Sequence, residues 1–72
     1  MPTFYVFVNK TDMERESIKP IELTMRSPVD LSCYLREKGL QSIWFSAPKT
    51  TSPQYKEYCK NADYVQVISS GN

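Results

Sequence analysis

The sequence predicts an α+β domain: a four-stranded mixed sheet with two helices packed on one face, in the order β-β-α-β-α-β. Three observations lead there. Two Ser-Pro steps, Ser27-Pro28 and Ser52-Pro53, each precede a helix-forming stretch; serine caps free N–H groups and proline fits the first helical position. Four short runs rich in β-branched and aromatic residues read as strands. The charged connection at residues 10–17 is too short for a parallel crossover, so the first two strands are expected to pair antiparallel.

The first strand is "FYVFVN", residues 4–9. Its apolar residues run without a break from Phe4 to Val8, whereas a strand with one wet face should alternate. The connection "KTDMERES" follows, in which Thr11 and Glu14 have the spacing of a capping box and predict one helical turn. "IKPIELTM", residues 18–25, alternates from Ile21 and reads as the second strand, with Pro20 at its start or on an edge.

"SPVDLSCYLREKG" carries the strongest helix signal. Ser27 caps it, Asp30 lies near the positive end of its dipole, Arg36 and Lys38 lie near the negative end, and Gly39 supplies the left-handed stop. Leu31, Tyr34 and Leu35 form its inward stripe. "QSIWFSAP", residues 41–48, reads as the third strand, "PQYKEYCKNA" as a short second helix, and "YVQVISS", residues 64–70, as the fourth strand. Residues 1–72 are expected to form a single small globular domain.

Alternation then divides the sheet. One face should carry Phe4, Val6, Val8, Ile21, Leu23, Met25, Ile43, Phe45, Val65 and Val67 beneath both helices. The other should carry Tyr5, Phe7, Glu22, Thr24, Trp44, Ser46 and Gln66 and stand open to solvent.

Composition limits what such a domain can do. Hydrophobic content is 40%, charged content 24% and net charge +1, an ordinary globular balance. A duplex-binding protein of this size would be more basic, since phosphate neutralisation supplies most of its affinity. No apolar run reaches the roughly 18 residues of a membrane span. The start "MPTFYVFVNK" has no basic segment followed by an apolar one, so no secretory signal is expected and the chain is placed in the cytoplasm.

The sequence contains no histidine and has two cysteines, Cys33 and Cys59, expected to be free, buried thiols. No metal site, cofactor or catalytic residue is expected, because the commonest general base is missing and no clustered ligand spacing occurs. With two glycines, Gly39 and Gly71, the chain also has no phosphate-cradling loop.

The expected function is therefore non-enzymatic protein binding through the aromatic sheet face. Tyr5, Phe7 and Trp44 would anchor in a partner, with Met13, Arg15, Arg26 and Lys49 at the rim. This profile suits a stoichiometric inhibitor of a host protein, of the kind viruses and mobile elements encode. An open first or last strand could also pair edge-to-edge with a second copy to give a homodimer. The alternative is single-stranded nucleic-acid binding, with bases stacked on the same aromatic rings. "VFVNK" resembles the first-strand motif of RNA-recognition-motif domains. The element order differs from theirs, however, and no later strand carries a K/R-G-F/Y-G/A-F motif, so the chain is not assigned to that family.

Overall fold

The structure, a computed structural model, describes residues 3–71. Strand β1 spans Thr3–Asn9 and leads directly into α1, Lys10–Arg15, then α2, Pro20–Thr24, and α3, Pro28–Lys38. Strand β2, Ser42–Ser46, is followed by a 3₁₀ turn at Ala47–Thr51, by α4, Pro53–Lys60, and by β3, Tyr64–Ser70. The sheet has three strands, not four, and all its pairings are antiparallel, in the order β2-β1-β3. This corrects the expected mixed sheet with two helices on one face.

The missing strand is residues 18–25, which form α2 instead. Pro20 occupies the first helical position, and Glu22 Oε2 reaches back to accept from the Lys19 N–H at 2.9 Å. Of the three alternating apolar residues only Leu23 is buried; Ile21 and Met25 are 62% and 82% exposed. Pro20 and Glu22 are helix-start chemistry, and they outweigh an alternation only three residues long.

The remaining boundaries follow local chemistry. Asn9 Oδ1 caps α1 by accepting from the Asp12 N–H (3.0 Å), so the cap lies two residues before Thr11. Ser27 Oγ caps α3 and Ser52 Oγ caps α4, accepting from Asp30 and Tyr55 at 3.3 and 3.2 Å. Helix α3 stops at Gly39, whose φ is +69°, with the Leu40 N–H donating to the Leu35 carbonyl (2.9 Å).

β1 is the central strand, which explains its unbroken apolar run. Val6, Phe7 and Val8 are successive residues, and none is more than 1% exposed. Successive side chains point to opposite faces, so both faces of the sheet are covered. On the first face, Val6, Val8 and Val67 pack with Met13 of α1, Leu23 of α2, Leu31 and Leu35 of α3, and with Ile18 and Leu40. Helix α4 and the 3₁₀ turn cross the second face on the way from β2 to β3. The end of β3 is tied to the helical layer: the buried Ser69 hydroxyl donates to the Arg26 carbonyl (3.0 Å). A Cβ on Gly71 would stand 2.8 Å from Pro28 Cδ.

The register also corrects the division of faces. Cross-strand partners share a face; Tyr5 is paired with Phe45, Phe7 with Ile43, and Val6 with Trp44. Ile43 and Phe45 therefore belong with Tyr5 and Phe7, and Trp44 lies on the opposite face with Phe4, Val6 and Val8.

Candidate functional site: the outer edge of β2

The aromatic face expected to be open is a closed second core. The Phe7 ring centroid lies 5.8 Å from that of Phe45, 5.5 Å from Tyr55 and 5.7 Å from Tyr58. Tyr5 meets Tyr55 at 5.9 Å and Tyr58 meets Tyr64 at 5.2 Å, both edge-on, as ring quadrupoles favour. The side chains of α4 thus cover Tyr5 and Phe7, and the platform expected for a partner or for stacked bases is occupied from within the chain. Desolvation at this packing raises the Tyr55 hydroxyl pKa above the ordinary 10.0; the Cys59 thiol raises it further, while a hydrogen bond from Gln66 Nε2 (2.7 Å) opposes the rise.

The seven expected contact residues do not share a surface. Tyr5 and Phe7 lie beneath α4. Met13 is core, 3% exposed. Arg15 is an exposed residue paired with Asp12 and Glu16 at 3.0 and 3.3 Å. The Arg26 guanidinium carbon stands over the Tyr34 ring, 3.8 Å from its centroid, and Arg26 pairs with Asp30 at 2.8 Å. Lys49 is exposed on the 3₁₀ turn. Met13 reaches the floor of a small concavity of about 200 Å³ beside Ile18 and Pro20, and Trp44 borders the larger concave surfaces beside β2.

Trp44 is half-buried, with its ring edge-on to Phe4 at 5.6 Å and its Nε1–H donating to Ser42 Oγ (3.3 Å). An open groove of about 430 Å³ runs between this strand and α3, lined by Phe4, Pro28, Val29, Cys33, Arg36 and Trp44. On the other side of β2 a second concavity of about 400 Å³ is bounded by Ile43, Trp44, Phe45, Gln54, Glu57 and Tyr58. Val29 and Cys33, four residues apart on α3, were the legible signal for the groove: they lie off the inward stripe of Leu31 and Leu35. Val29 is 76% exposed. Both cysteines are free, and both are exposed rather than buried.

Between the two concavities lies the unpaired edge of β2. The Asn9 N–H donates to the Gln41 carbonyl (3.0 Å) and the Lys10 N–H to the Asp63 carbonyl (2.8 Å). Antiparallel ladders alternate hydrogen-bonded and non-hydrogen-bonded pairs. Continuing both registers along β1, Tyr5 and Phe7 bond to β2, whereas Phe4, Val6 and Val8 bond to β3. On β2, Ile43 and Phe45 consequently bond inward. Ser42 and Trp44 direct their N–H and C=O groups away from the sheet, as Ser46 does its N–H.

Among the described residues, no three His, Cys, Asp or Glu side chains are grouped to hold a metal ion, and no helix is long and apolar enough to cross a membrane. Comparison with protein-family models, with curated proteins and with solved structures returns no match.

Proposed function

We propose that this chain works by binding another polypeptide along the outer edge of β2, rather than by catalysing a reaction. The observation that carries this reading is a coincidence of two features. Ser42 and Trp44 offer outward backbone donors and acceptors in strand geometry, Ser46 adds an outward N–H while its carbonyl starts the 3₁₀ turn, and concavities flank them on both sides of the sheet, apolar on the α3 side and mixed in polarity on the α4 side. An added strand satisfies the backbone groups, while its alternate side chains enter the two concavities. Trp44 anchors the contact, and Phe4, Val29 and Cys33 extend it. On the chemical side, the sequence has no histidine. Several of its carboxylates serve local structure: Glu22 caps α2, and Asp12 and Asp30 pair with arginines.

Ser46→Pro tests this reading without disturbing the fold. Ser46 has φ −75°, a value proline accepts, and its N–H points outward. The experiment immobilises wild type and Ser46→Pro and exposes both to lysate, with and without nuclease, after confirming equal melting temperatures. A nuclease-resistant polypeptide held by wild type and lost by Ser46→Pro supports edge binding. Equal retention by both proteins overturns it. A bound species that nuclease removes points to nucleic acid instead.

A further inference from the structure

We propose that the polypeptide added at β2 is a second copy of this chain, joined antiparallel about a two-fold axis through Trp44. This rests on the edge-binding reading and identifies its partner.

β2 reads Ser-Ile-Trp-Phe-Ser, which is nearly the same in either direction. When two copies are laid antiparallel with Trp44 opposite Trp44, Ser42 faces Ser46 and Ile43 faces Phe45, so like meets like at every position. The hydrogen-bond phase agrees with this register. Ser42, Trp44 and Ser46 are the outward-bonding residues, and the two-fold pairs them only with one another, giving two hydrogen bonds at the Trp44 pair and one, from the Ser46 N–H to the Ser42 carbonyl, at each outer pair. A shift of two residues in either direction leaves one outward residue of each copy unmatched.

The faces agree as well. A two-fold axis perpendicular to the sheet keeps each face on its own side. Ile43 therefore meets Phe45 on the α4 side, and Trp44 meets its counterpart on the α3 side. There the groove of Phe4, Val29 and Cys33 continues into that of the second copy. No residue of β2 is charged, so the approach of two identical strands brings no like charges into register. β2 also has none of the lysines or inserted prolines that blunt natural sheet edges. The other edge, β3, reads Tyr-Val-Gln-Val-Ile-Ser-Ser, which sets valine against serine and glutamine against isoleucine when folded back on itself. Self-complementarity therefore favours β2.

Sedimentation equilibrium on purified protein tests the inference. Wild type is expected to form a species of twice 8.4 kDa. Ser46→Pro removes one donor at each end of the paired strands and should weaken dimerisation by about tenfold or more. Ser42→Lys combined with Ser46→Lys sets like charges opposite and should leave monomer. Ser42→Lys combined with Ser46→Glu sets opposite charges across the axis and should restore the dimer, a recovery expected only in this register.

A wild type that stays monomeric up to about millimolar concentration overturns the second-copy proposal. Loss of some other bound polypeptide on Ser46→Pro would then still uphold edge binding at β2. A dimer that survives Ser46→Pro and both charge pairs lies elsewhere and overturns the proposal.

Discussion

Ser17 holds a left-handed backbone, φ 56°, the one non-glycine residue with positive φ among those described. It closes α1 as Gly39 closes α3: the Ile18 N–H donates to the Met13 carbonyl (2.9 Å), as the Leu40 N–H does to Leu35. Both stops turn a hydrophobic residue back into the core, Ile18 at the first and Leu40 at the second. A side chain in this conformation costs about 1–2 kcal/mol, which glycine avoids. Glycine also loses more chain entropy on folding, so only part of that cost is recoverable. Ser17→Gly is expected to raise stability by about 0.5 kcal/mol and Gly39→Ala to lower it by about 1 kcal/mol or more, read from urea midpoints at unchanged slope. Equal signs for the two changes would contradict this account of the stops.

At the scale of elements, α4 depends on the aromatic layer beneath it. Its eight residues are too few to form a stable helix alone, and it is held by Tyr55 and Tyr58 on Phe7 and Phe45. Tyr58→Ala should loosen α4 at a cost of about 2–3 kcal/mol. It should also raise binding of a hydrophobic dye such as ANS, because Phe7 and Phe45 become accessible. Unchanged dye binding would mean that Tyr55 alone holds the helix.

Helix α3 and strand β3 were legible to the residue in the sequence, because Ser27-Pro28 and Gly39 bracket the one and clean alternation marks the other. α2 was not legible, since five residues carry too little periodicity to compete with Ile21-Leu23-Met25. The covering of the second face was not legible either. Which side of β2 joins Phe7 depends on its register against β1, and no single strand encodes its register. The apolar sequence made Ile43 and Phe45 look like companions of Val6 and Val8. In the fold it is Trp44 that joins them, and the predicted contact set dispersed for that reason.

The whole molecule is two cores built on one shared strand. β1 gives Val6 and Val8 to the helical layer and Phe7 to the aromatic layer, so neither core survives without it. The single tryptophan, Trp44, reports the first core, and Tyr5, Tyr55, Tyr58 and Tyr64 report the second. In a Tyr34→Phe background, which removes the one tyrosine packed on the first core, tryptophan fluorescence and near-ultraviolet tyrosine dichroism should therefore lose their native signals at the same denaturant concentration. Separated midpoints would show that α4 and its tyrosines melt as an independent unit.

Of the three strands described, the central one is the first to leave the ribosome. β1 pairs with β3 along its whole length, from Thr3 with Ser70 to Asn9 with Tyr64, and β3 is synthesised after every other element described. At about 5–20 residues per second, the nascent strand waits on the order of several seconds for that neighbour. Through that interval Phe4 to Val8 is an apolar ribbon without its second flank, open to association with other chains until β3 arrives.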